Sequence, residues 1–129
     1  MNCFLLQIFH SSLIYVYSLI GEDSILVVWD SHTGTPVKTI FSPHSKGCCS
    51  VDISSDSMFV ASLSTASSSS PQEIAIWAWS KDNEDGDKAM LRGNILSKQL
   101  QTEIKYDNVG YNLVTTGPNQ IQFWHTEEF

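Results

Sequence analysis

Tryptophan recurs at positions 29, 77 and 124, each time closing an apolar, β-branched run. The runs are Ile25-Leu26-Val27-Val28-Trp29, Ile74-Ala75-Ile76-Trp77 (followed by Ala78-Trp79) and Ile121-Gln122-Phe123-Trp124. The spacings are 48 (77−29) and 47 (124−77). A near-constant period of this length marks a repeat architecture, in which each repeat is one supersecondary unit stacked on the next. Aromatic and β-branched runs bounded by polar turns read as strands. The chain is therefore expected to be all-β.

A strand ending in Trp and followed by a turn is the pattern of a propeller blade, where four short strands make one small twisted sheet. The chain has 129 residues. At about 40–45 residues per blade, a ring of four needs roughly 160 residues and a ring of seven roughly 300. The sequence thus predicts a piece of a ring. It holds one complete four-stranded blade at 42–96, flanked by a partial blade at 1–41 and by another at 97–129 that lacks its fourth strand.

Composition narrows the partners. The formal net charge is −7, and the seven basic residues stand singly along the chain. No basic cluster could neutralise adjacent phosphates, so neither nucleic acid nor an anionic membrane is expected as a partner. Three cysteines, an odd number, and no Asn-x-Ser/Thr sequon fit a reduced intracellular protein. Residues 1–20 carry no Lys, Arg, Asp or Glu. They lack the positive start of a signal peptide, and Gln7, His10, Ser11 and Ser12 interrupt any membrane span. Two strands are expected there. The alternative is a small secreted or membrane-anchored β domain with residues 1–20 as its targeting segment.

The second unit is the most legible. With His44 as zero, apolar residues fall at +4, +7 and +9 as Cys48, Val51 and Ile53. The turn Ser54-Ser55-Asp56-Ser57 follows, then Val60-Ala61-Ser62 in a second strand. Ser67-Ser68-Ser69-Ser70 cannot bury apolar surface and reads as a loop before the third strand, Glu73 to Trp79. An acidic turn, Asp82-Asn83-Glu84-Asp85-Gly86-Asp87, precedes a fourth strand within 88–96. In the last unit the strands are expected at Glu103–Tyr106, Tyr111–Thr116 and up to His125.

This spacing from His44 to Ser62, with Trp29-Asp30 and Trp77, resembles the WD-repeat family over residues 21–126. Gly21-Glu22-Asp23-Ser24, Leu26 to Ser31, Thr33-Gly34, Pro36-Val37 and Thr39-Ile40-Phe41 are similar to one blade of ciliary and flagellar members of that family. So are Trp77-Ala78-Trp79 and the ending Phe123-Trp124-His125-Thr126-Glu127-Glu128. Ser18-Leu19-Ile20 departs from the Thr-Ala-Asp-like strand end of the family. The resemblance implies a non-catalytic protein–protein interaction scaffold of the axoneme. Its relatives belong to the calmodulin- and spoke-associated complex at a radial-spoke base, and serve ciliary motility. Partners would be other axonemal proteins, further propeller blades, or a second copy joined through open strand edges.

The resemblance also implies structural roles for Trp29, Asp30, His44, Ser62, Trp77 and Trp124. In a WD blade, His, Ser, Trp and an Asp between the second and third strands form one hydrogen-bonded chain. The Asp would fall at position 66, which is Ala66, so the chain of bonds is expected to be incomplete. His44 is either part of this brace or a solvated loop residue.

No catalytic, cofactor or metal residues emerge. Placing Gly86 at the sixth position of a calcium loop puts Lys81 first and Arg92 twelfth, where carboxylates are needed. Cys48-Cys49 lacks the spacing of a zinc site. Strict alternation would put Cys49 with Val51 on one face and Cys48 with Ser50 on the other. No phosphate-binding glycine loop or nucleophile elbow occurs. Ser70-Pro71 in the serine loop is the best candidate for proline-directed phosphorylation.

Overall fold

The computed structural model describes residues 4–8, 14–19, 24–30, 32–79, 88–95 and 99–126, with the first two stretches as backbone. Eleven strands are described, in chain order: β1 (Phe4–Ile8), β2 (Ile14–Leu19), β3 (Ile25–Asp30), β4 (Thr35–Phe41), β5 (Cys48–Ile53), β6 (Val60–Ser64), β7 (Glu73–Trp77), β8 (Leu91–Asn94), β9 (Glu103–Tyr106), β10 (Leu113–Thr116) and β11 (Ile121–Trp124). They form three antiparallel meanders: β1-β2-β3-β4, β5-β6-β7-β8 and β9-β10-β11. No α-helix occurs among the described residues.

Trp29, Trp77 and Trp124 each lie at or next to the end of the third strand of their sheet. Within residues 1–41, read as a partial blade, the described strands β1 to β4 form one sheet. The uncharged stretch before residue 20 supplies two of them, and β2 pairs along β3 from Ile14↔Asp30 to Ser18↔Leu26. The third sheet has three strands among the described residues, with β9 and β11 as its edges.

The sheets stack through two apolar layers. Leu26, Val28 and Ile40 of the first sheet meet Cys48, Val51, Ile53, Val60, Ala75 and Trp77 of the second. Ala61, Leu63, Ile74, Ile76 and Ile95 meet Ile104, Tyr106 and Leu113 on the other side. Successive residues of β7 thus point into opposite layers, Ala75 and Trp77 into one and Ile74 and Ile76 into the other. A strand buried on both faces reads as a continuous apolar run, which is why β7 shows no polar alternation. β9 is the contrast: Glu103 and Lys105 are exposed, while Ile104 and Tyr106 are buried.

The expected faces of the vicinal cysteines are corrected. The register shifts between Cys48 and Ser50, where β5 carries a bulge. The extra residue turns Cys48 to the same layer as Val51, and Cys49 to the layer of Ile104.

A polar brace and an inter-sheet seam

The second sheet carries a buried line of hydrogen bonds that crosses three of its segments. Trp77 Nε1 on β7 donates to Ser62 Oγ on β6 at 3.0 Å. Ser62 Oγ lies 2.8 Å from Nε2 of His44, in the turn before β5. His44 Nδ1 lies 2.8 Å from Glu73 Oε1. Ser62 is fully buried, and Trp77 and His44 are 2% and 3% exposed. Indole can only donate, and with His44 neutral and protonated on Nδ1 the line has one polarity. Trp77 donates to Ser62, Ser62 donates to a neutral His44, and His44 Nδ1–H donates to the Glu73 carboxylate. Burial holds His44 below the usual histidine range, against the opposing pull of Glu73. The neutral ring is the form this polarity requires.

The solvated-loop reading of His44 is therefore corrected, and so is the expected gap. The acceptor sought at Ala66 comes instead from Glu73, at the first position of β7. Residues 73, 75 and 77 share one face of a strand, so a carboxylate four residues before Trp77 points to the same side as the indole. That spacing was the signal available in the sequence. Arg92 on β8 closes the line: its Nη1 bonds the same Glu73 oxygen and the Pro43 carbonyl, the latter at 3.3 Å. Its guanidinium stands 5.3 Å from the centre of the Trp77 ring, within cation–π range.

The third sheet repeats the first bond of this line. Trp124 Nε1 donates to Thr115 Oγ1 at 2.9 Å. The register is the same in both sheets. Trp77 faces Val60 and Trp124 faces Leu113, with the hydroxyl residue two positions further along the neighbouring strand. In the first sheet Trp29 faces Tyr15, and the matching position is Tyr17 rather than Ser or Thr. Asp30 works locally: its carboxylate accepts from the His32 N–H at 2.8 Å, shaping the turn into β4. Trp79 Nε1 donates to the Ser57 carbonyl at 2.8 Å and anchors the turn between β5 and β6.

A second polar feature joins the second and third sheets. The N–H groups of Ile104 and Tyr106, on edge strand β9, donate to Ser50 Oγ at 3.0 Å and Asp52 Oδ2 at 2.7 Å. Gln72 accepts from the Gln101 N–H at 2.8 Å and donates to the Gln101 carbonyl at 2.8 Å, as a strand would. Ser50, Asp52, Gln72 and Gln101 are all buried. Burial raises the Asp52 carboxyl above its ordinary value, while the Tyr106 N–H and the nearby Lys105 charge oppose that rise.

The remaining candidates offer little chemistry. Burial and the neighbouring Cys48 push the Cys49 thiol up to about 12, so it is not a thiolate nucleophile at neutral pH. Among the described residues, no group of three or more His, Cys, Asp and Glu side chains could hold a metal ion. The acidic turn at 82–87 lies outside the described residues, and Arg92 is engaged with Glu73. No described helix is long and apolar enough to cross a membrane. Ser70 is exposed and lies beside the cleft that contains His44 and Glu73.

Stacked antiparallel meanders of this kind are found in solved structures. The C-terminal WD40 domain of Sif2 superposes with a TM-score of 0.65 at 18% identity, covering 95% of this chain and 31% of that one. The β-propeller domain of Myceliophteria thermophila Cps50 (Swd1) gives 0.59 at 12% identity, covering 85% and 31%. The chain has the fold of WD-repeat β-propellers. Its curated homologues are named cilia- and flagella-associated protein 251. The Tetrahymena thermophila protein is 38% identical to this WD-repeat chain over 115 residues, 83% of the chain and 11% of the relative. The Mus musculus protein is 44% identical over 61 residues, 46% and 4% of the two lengths. The Chlamydomonas reinhardtii protein is 25% identical over 115 residues, 81% and 14%. The chain thus spans a small part of the length of each of these relatives. No protein-family model matches it.

Proposed function

We propose that this WD-repeat chain is a non-catalytic protein–protein interaction scaffold of the cilium or flagellum, seated on the axoneme and serving radial-spoke and motility functions. The observation that carries the reading is the 38% identity with the Tetrahymena protein across most of the chain. The side-chain chemistry supports it. The polar line from Trp77 to Glu73 is internally satisfied, buried at Trp77, Ser62 and His44 and half-buried at Glu73, which suits bracing rather than turnover. We read 1–41, 42–96 and 97–129 as successive blade units, with Trp29, Asp30, His44, Ser62, Trp77 and Trp124 in structural roles.

Its partners are proteins: other axonemal components, neighbouring blades, or a second copy. Among the described residues β11 is an edge of the third sheet, and Ile121 and Phe123 on it are 61% and 78% exposed. An edge strand with exposed apolar side chains accepts another strand readily. A fluorescent fusion of the whole chain, expressed in ciliated cells, tests the location. Signal that stays on axonemes after detergent extraction is expected, and signal in the secretory pathway would favour a targeting role for residues 1–20 instead. Sedimentation over a wide concentration range tests the edge. Self-association is expected, and a compact monomer throughout would remove it.

A further inference from the structure

The serine loop and the polar brace meet in one place. An open cleft of about 250 Å³ lies between the turn before β5 and the connection from β6 to β7. Its lining includes His44, Lys46, Thr65, Ser70 and Glu73. The charges there are unequal in their pairing. Glu73 is already bonded to Arg92 and to His44. Burial lowers the His44 pKa against the opposing pull of Glu73, which disfavours a positive charge on that ring. Lys46 is exposed and has no ion-pair partner among the described residues. Thr65 bonds the Gly47 carbonyl through its N–H at 3.0 Å, but its buried hydroxyl has no hydrogen-bond partner. The cleft therefore offers one unpaired ammonium, while the Thr65 hydroxyl is sealed from solvent.

Ser70 stands on the rim of this cleft, exposed and followed by Pro71. Within the loop, Ser67 and Ser69 bond each other, with Oγ atoms 2.9 Å apart. Ser70 lines the cleft and, unmodified, has no charge to offer Lys46. A phosphoserine carries about −1.5 to −2 charges at neutral pH and three strong acceptor oxygens. The negative charge is the complement that Lys46 lacks.

We propose that Ser70 is a phosphorylation site whose phosphate seats in this cleft against Lys46, pinning the serine loop across the end of the second sheet. The modification is a phosphoryl transfer from ATP by a proline-directed protein kinase. The Ser70 oxygen forms the new O–P bond, the bond from the γ-phosphorus to the ADP oxygen breaks, and the hydroxyl proton passes to the kinase base. Glu73 does not repel the dianion strongly, because Arg92 shares its charge. The consequence is a cleft open to an outside ligand before modification and filled by the chain itself afterwards.

The test uses the whole chain with phosphoserine placed at position 70 during translation. Phosphorus NMR follows the second ionisation of the phosphate, beside the same phosphoserine in a peptide of residues 65–75. In the folded chain the midpoint is expected about half a unit or more below that of the peptide, because a nearby cation favours the dianion. Lys46→Ala is expected to remove most of that difference. Lys46 is exposed, so its loss leaves the fold intact, and Lys46→Gln serves as a second neutral variant. A midpoint equal to that of the peptide, or one that neither Lys46 variant moves, overturns the seat. A proline-directed kinase that modifies the peptide but never the folded chain overturns the site.

Discussion

Ser62→Ala is the sharpest probe of the brace, because one hydroxyl serves two buried partners. The Trp77 indole N–H and His44 Nε2 both end on Ser62 Oγ, at 3.0 and 2.8 Å. All three residues are at most 3% exposed, so water cannot replace the lost oxygen without opening the sheet. Each stranded buried group costs about 1–3 kcal/mol, and the truncation is expected to cost about 2–5 kcal/mol in all. That is a large share of the roughly 5–15 kcal/mol that a domain commonly has. Trp77→Phe deletes the donor as well as part of the ring. In the double variant Ser62→Ala strands only His44, so the two losses fall short of additivity by about 1–2 kcal/mol. Urea unfolding followed by far-UV circular dichroism, at one protein concentration, measures the cycle. A Ser62→Ala cost under about 0.5 kcal/mol, or additivity within about 0.5 kcal/mol, would refute the buried line. Thr115→Val in the third sheet strands the Trp124 donor alone, and that indole is only half-buried, so its cost is expected to be smaller.

His44 makes stability depend on pH. Its folded-state value lies below 6.5, so the folded protein binds fewer protons than the unfolded chain in that window. Its contribution is complete above about 6.5 and declines as pH falls toward the folded value; His44→Gln should flatten the denaturation midpoint over that range. Gly117→Ala is expected to destabilise strongly, since an added Cβ would lie 1.8 Å from the Leu100 carbonyl oxygen and backbone must move. A shift in melting temperature of under a degree would show that the approach of the two segments is loose. Deleting Ser67 to Ser70 in the unmodified chain should barely change stability, because loop closure varies by only about 0.6 kcal/mol per doubling of length. A loss above about 2 kcal/mol would mean that the loop packs.

The sequence by itself determined the strands and their repetition. Trp at a period near 48, with β-branched runs before it and turn residues after it, places the end of each third strand without reference to anything distant. The continuous apolar run of β7 likewise announces a strand buried on both faces. Local chemistry suffices there, because strand periodicity and turn preference act over a few residues. Tertiary structure decided the rest. The bulge at Cys48–Ser50 reverses the faces of the two cysteines, and no alternation rule foretells an added residue. Glu73 replaces the acceptor missing at Ala66 only because the turn holding His44, 29 residues earlier, folds over the start of β7. The seam is more distant still: Ser50 and Asp52 meet backbone N–H groups 54 residues away. A buried serine or aspartate looks like any polar residue in a sequence. It becomes a stitch between blades only when stacking two sheets removes water from an edge whose N–H groups must find another acceptor.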